Sequence, residues 1–165
     1  NLVFGCPGNR NMPEMSEEYA ASCLDIAITF FRELGEYAWK HGTVIGMEAN
    51  PPMYHTNFIN TTKEALELVE RVDSRGLLLN LDVGTMLANG EDCTELEGRI
   101  GLVNHVHISE PGLKPVQERP LHQELKKVLQ EERYGGFVSV EMGKTEDGSP
   151  DAVKDAMSYV RSIFQ

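Results

Sequence analysis

The sequence predicts an α/β protein built on a parallel sheet, and three observations carry that expectation. Five short, mostly apolar runs rich in β-formers recur along the 165 residues. Helical 3–4 spacing of apolar residues separates them. Each interval between strand starts is long enough for a crossover helix, and strands joined in that way lie parallel and are buried on both faces.

In chain order, Leu2 to Cys6 is the first expected strand. Ser16-Glu17-Glu18 has the form of a helix start, and Cys23, Ile26, Ala27, Phe30, Phe31 and Leu34 make a stripe that ends near Gly42. Val44 to Glu48 is the second strand, followed by a helix from Thr62 to Val72 with Ala65, Leu66, Leu68, Val69 and Val72 apolar. Leu77 to Asp82 is the third, with a shorter helix expected near Cys93 to Ile100. Val103 to Ser109 is the fourth, and its helix runs from about Leu121 to Glu132 around Leu125, Val128 and Leu129. Phe137 to Met142 is the fifth. Pro150 stands near the start of the last helix, where Val153, Ala156, Met157, Val160 and Ile163 form the stripe. No linker, low-complexity tract or charge block intervenes, so residues 1–165 read as a single domain. Two architectures satisfy this order: an open five-stranded doubly wound parallel sheet, or a contiguous part of an eight-unit barrel. Periodicity does not choose between them.

Composition narrows the partners. The chain is 41% hydrophobic and 25% charged, as globular proteins are, and its 26 acidic against 15 basic residues give a net charge of −11. That balance repels nucleic-acid backbones and anionic membranes and suits a site that gathers cations. Cys6, Cys23 and Cys93 are an odd number without a CxxC pair, which points to free thiols in a reducing, cytoplasmic setting and away from a thiolate zinc site. No apolar run approaches the roughly 18–20 residues of a membrane span, and no signal peptide opens the chain. The start at Asn1-Leu2-Val3-Phe4, already inside a strand, leads us to expect preceding chain. Homo-oligomerisation is compatible with all of this.

Ligands of parallel α/β proteins sit at the carboxyl ends of the strands. Four consecutive strands here end in Glu48, Asp82, His107 and Glu141. A single acid at a strand end is ordinarily a helix cap. Three carboxylates and an imidazole at one sheet end would repel one another without a cation, so these four are the expected ligands of one divalent metal ion. Their oxygen and nitrogen donors suit Mn²⁺, Mg²⁺, Co²⁺ or Zn²⁺. His105 shares strand parity with His107 and serves either the core or the substrate; His107 is the expected ligand because it lies nearer the carboxyl end. His41, His55 and His122 are expected at the surface or in packing. Arg10, in the Pro7-Gly8-Asn9-Arg10 turn, is placed either to meet an anionic or polyhydroxy substrate or to make a loop salt bridge. Neither GxGxxG nor GxxxxGK[ST] occurs, which excludes nucleotide cradles of those types.

The motifs Glu48-Ala49-Asn50-Pro51-Pro52, Leu81-Asp82-Val83-Gly84, His105-Val106-His107-Ile108-Ser109-Glu110-Pro111 and Ser139-Val140-Glu141-Met142 carry a resemblance to the xylose-isomerase-like TIM barrels. The sequence most resembles their sugar phosphate isomerase/epimerase group, over essentially its whole length and in the order of that barrel's last five βα units. The resemblance implies a C-terminal partial (β/α)8 barrel, so two strand edges without partners are expected. It implies one metal ion held by Glu48, Asp82, His107 and Glu141. It also implies that Glu48 and Glu141 move a proton on opposite faces of a carbohydrate substrate, through an enediolate beside a metal-bound carbonyl. Asn50, Glu110 and Lys114, with Arg10 and His105, are the substrate-contact residues it suggests.

Two departures qualify the resemblance. Many relatives place a histidine where this chain has Thr85, and an arginine in the region of Lys114, whose point charge replaces a planar fork only in part. A polyol dehydratase, an apurinic-site endonuclease-like phosphodiesterase and a non-catalytic metal- or polyol-binding barrel fragment are the alternative functions.

Overall fold

The computed structural model describes residues 1–13, 16–145 and 148–165 and contains five parallel strands. They are β1 (Leu2–Phe4), β2 (Ile45–Met47), β3 (Leu77–Asp82), β4 (Val103–Ile108) and β5 (Phe137–Val140), and their order in the sheet is their order in the chain. A doubly wound sheet reverses direction at a switch point. No reversal occurs here, so the winding is that of a barrel, and the open-sheet alternative falls. Among the described residues no helix is long and apolar enough to cross a membrane.

The chain divides into two compact units, Asn1–Asn80 and Leu81–Gln165. In the first, β1 pairs with β2 and β2 with β3, and two helices connect them: α1 (Glu17–Lys40) and α2 (Thr62–Val72). Ser16 Oγ caps α1 by accepting the Tyr19 N–H at 3.3 Å. Thr61 and Glu64 form a reciprocal capping box on α2, which places that helix where the sequence predicts it. Arg32 of α1 donates to the carbonyls of Val72 and Arg71 at 2.9 and 2.8 Å, so the open C-terminus of α2 is satisfied by a cation from its neighbour. Met47, Leu66, Leu77 and Leu79 are fully buried between these elements. The predicted α1 stripe is only partly right. Phe31 and Ala38 are buried together with Ile28, whereas Ile26 and Phe30 are 70% and 52% exposed. The inward face is set by where the helix lies on the sheet, and it is rotated from the apolar maximum.

In the second unit, β4 and β5 pair, and three helices accompany them: α3 (Val83–Asn89), α4 (Pro120–Glu131) and α5 (Asp151–Phe164). Here α3 corrects the sequence reading, which put the crossover helix near Cys93 to Ile100. That later stretch holds two single 3-10 turns, Thr94–Leu96 and Ile100–Leu102, interrupted at Gly98, whose φ is +75°. The helix forms earlier because the Asp82 carboxylate accepts the Thr85 N–H, and it stops at Gly90, which is left-handed. In α5, Ala156, Val160 and Ile163 are buried, while Val153 and Met157 are about half exposed at 42% and 43%. The outer strands present apolar surface, with Leu2 of β1 61% and Phe137 of β5 77% exposed. β1, β2, β4 and β5 are each shorter than the sequence suggests, and Glu48 and Glu141 directly follow β2 and β5.

Candidate metal centre

In the first unit, Glu48 follows β2 on the last rung of its ladder, its N–H donating to Phe4 O at 3.2 Å. The β2–β3 register sets Met47 against Leu79, so Glu48 falls beside Asn80. Asn80 Nδ2 donates to Glu48 Oε1 at 2.6 Å, and Asn50 Nδ2 reaches Oε2 at 3.4 Å. Glu48 is 8% exposed, and these amides hold its carboxylate in place. Gly5 of the neighbouring strand end makes the room: a Cβ there would land on Glu48 Oε2. Arg10 Nη1 donates to the Glu48 carbonyl at 2.8 Å. Burial lowers the Arg10 pKa, and nearby Glu48 and Cys6 act against that shift.

In the second unit, Asp82, His107 and Glu141 converge. One ligand atom from each lies within 4.8 Å of the others, an arrangement able to hold a metal ion. Asp82 ends β3, and its two oxygens are oriented by separate donors: Thr85 N–H to Oδ1 and Ser109 Oγ–H to Oδ2, both at 2.6 Å. Ser109 Oγ in turn accepts the Gly84 N–H at 2.8 Å. Gly84 has no side chain because a Cβ would stand 2.8 Å from that hydroxyl. His107 lies in β4 with Nδ1 at 3.4 Å from Glu141 Oε2. Glu141 follows β5, its N–H extending the ladder to Ile108 O at 3.0 Å. The hydrogen bond with His107 holds the Glu141 carboxyl below the usual carboxylate range, against the effect of its partial burial. Two carboxylates and an imidazole this close are an oxygen–nitrogen donor set that a divalent cation relieves of mutual repulsion.

The other sequence candidates are accounted for individually. His105 Nε2 is 2.6 Å from Ser139 Oγ, its ring meets that of His107 edge to face at 5.1 Å, and burial lowers its pKa. Glu110 is 3% exposed, and its carboxylate is held by both edge nitrogens of Arg119, Nε at 2.9 Å and Nη2 at 2.6 Å. Lys114 is exposed in the loop after β4. Asn50 is buried beside Glu48, and its carbonyl accepts from Asn60 Nδ2 at 2.7 Å. Of the remaining histidines, His41 and His55 are exposed and His122 is fully buried against Tyr159. Sequence reasoning missed Asn80, Ser109, Ser139 and Arg119 as supports. For Asn80 a signal existed: in Leu77-Leu78-Leu79-Asn80-Leu81-Asp82 it is the lone polar residue sharing the parity of Asp82.

The comparisons agree with this picture. The sequence profile of the xylose isomerase-like TIM barrel family matches residues 1–163. An uncharacterized protein of Methanocaldococcus jannaschii is 27% identical over 160 residues, 90% of this chain and 54% of its own length. Among solved structures, the D-allulose 3-epimerase of Methylomonas sp. matches with a TM-score of 0.76 at 19% identity, over 93% of this chain and 59% of that one. The 3-keto-D-glucoside 4-epimerase of E. coli gives 0.74 at 21% identity, over 98% and 60%. A family 2 AP endonuclease from Brucella melitensis gives 0.64 at 27% identity, over 78% and 52%. The chain thus spans between half and two thirds of the length of these relatives. With its unreversed parallel strands and a profile match from end to end, the chain belongs to the xylose isomerase-like TIM barrel family.

Proposed function

We propose that residues 1–165 are the metal-binding portion of a sugar or sugar-phosphate isomerase/epimerase, with Glu48 completing the donor set of Asp82, His107 and Glu141. The observation that carries this reading is the convergence of the latter three at the carboxyl ends of β3, β4 and β5. Glu48 is supported by its equivalent place after β2 and by Asn80 and Asn50, which orient it. A bound divalent ion supplies positive charge that makes an α-proton of a hydroxy-carbonyl compound acidic. Glu141, ionised at neutral pH and 41% exposed, accepts that proton, and Glu48 returns one from the opposite side. Asp82 and His107 would hold the ion, with Ser109 and the Thr85 N–H fixing the Asp82 oxygens. The nuclease reading is disfavoured by a net charge of −11 and by a donor set with a single imidazole.

The test is proton exchange. Protein loaded with Mn²⁺ and incubated in D₂O with a panel of ketoses and ketose phosphates should place deuterium α to a carbonyl, and chelation should stop it. Absence of exchange across the panel, together with no retained metal, would overturn the reading. Gly5→Ala gives an independent check of Glu48. The added methyl displaces the carboxylate, so Mn²⁺ affinity should fall about 10–100-fold, the range seen when a ligand loses its orienting contacts. Calorimetric titration against wild type reads this directly, with far-UV circular dichroism expected to stay unchanged.

A further inference from the structure

The guanidinium of Arg10 carries two donors that none of the described residues satisfies. The turn Pro7–Asn9 closes on the Arg10 N–H, which donates to Pro7 O at 3.0 Å and fixes Arg10 just beyond β1. Its carbonyl accepts from Thr56 Oγ1 at 2.7 Å and from the Asn57 N–H at 3.3 Å, so the backbone is pinned on a second loop. Nη1 is used by the Glu48 carbonyl at 2.8 Å, and the guanidinium carbon stands 5.8 Å from the centre of the Phe4 ring. Arg10 is 3% exposed, yet Nε and Nη2 have no hydrogen-bond partner among the described residues.

These two nitrogens lie on the same edge of the guanidinium, and their N–H bonds run parallel, a spacing that matches two oxygens on one carbon or phosphorus. The same edge of Arg119 shows the match completed, gripping both oxygens of Glu110. Leaving two donors of a permanent cation dry and unused is costly, and none of the described acidic side chains fills the edge. Beside it is a cavity of about 310 Å³ whose lining includes Phe4, Arg10, Met12, Phe30, Phe31 and Phe58.

We propose that Arg10 forms an oxyanion subsite that takes a carboxylate or phosphate group of the substrate on its Nε–Nη2 edge. As a substrate subsite this rests on the epimerase reading and narrows it to acidic or phosphorylated carbohydrates; anion binding itself does not depend on it. Solvent does not reach either nitrogen, so an entering group displaces part of the present lining.

The experiment is NMR of the arginine Nε–H signals of the ¹⁵N-labelled, metal-free protein, titrated separately with glycolate, inorganic phosphate and glycerol. The Arg10 signal, identified through its own side-chain correlations, should shift saturably with glycolate or with phosphate, and whichever anion moves it names the group. Glycerol should leave it in place. A static Arg10 signal with both anions, or an equal shift with glycerol, overturns the subsite. Arg10→Lys should weaken binding of the effective anion about tenfold or more, since a point charge replaces a fork; should that variant not fold, the wild-type signal still decides. A parallel Mn²⁺ titration keeps the two readings apart. Metal binding without an anion response removes the subsite alone, and an anion response without metal binding removes the epimerase reading alone.

Discussion

Glu141→Gln is expected to abolish metal-dependent proton exchange, a loss of about 10²–10⁴-fold, the range for removing a positioned general base. The substitution keeps size and shape and removes charge. Its backbone N–H still completes the ladder to Ile108 O. The side chain is 41% exposed, so stability should change by no more than about 0.5 kcal/mol. Exchange rates by NMR and a thermal melt of the same preparation separate chemistry from folding. Undiminished exchange with an intact fold would refute the role given to Glu141.

Arg119→Met should produce the largest loss of stability among the polar substitutions considered. Glu110 is 3% exposed, and the Arg119 fork satisfies both of its oxygens; the Gln117 N–H, at 3.2 Å from Oε1, is a weak third donor. Removing the arginine strands a buried carboxylate. A fully buried pair broken in this way costs about 3–5 kcal/mol; Arg119 is 37% exposed, so about 2–3 kcal/mol is expected. Arg119 stands at the N-cap position of α4 without a side-chain cap, and its N–H, which reaches the Tyr159 hydroxyl at 3.4 Å, is kept in the variant. Urea denaturation measures the loss. Pairing the change with Glu110→Gln should recover most of it, because the penalty belongs to the unpaired charge. No recovery would mean that Arg119 acts through packing instead.

The parts of this molecule that were readable from sequence are those set by local chemistry. The apolar run Leu77–Asp82 and the apolar spacing of Ala65, Leu66, Leu68, Val69 and Val72 place β3 and α2 at their observed bounds. The carboxyl-end rule alone points to Glu48, Asp82, His107 and Glu141. What escaped was either a weak local signal or a matter of contacts distant in sequence. α3 was missed because Val83-Gly84-Thr85 is a poor helix start by propensity, and only the Asp82 cap reveals it. Ile26 and Phe30 follow helical spacing yet face outward, since burial depends on how α1 lies against the strands. Ser109 and Arg119 belong to no periodic pattern. Their partners, Asp82 and Glu110, are brought to them by the turn after β4 and the start of α4.

The central claim is that one divalent ion is held by Glu48, Asp82, His107 and Glu141. A calorimetric Mn²⁺ titration of the wild-type protein beside His107→Ala tests it most directly. The account predicts a single saturable site per chain in the wild type and its loss in the variant, with both proteins folded. Equal Mn²⁺ binding by the two, or no saturable binding by the wild type, would contradict it.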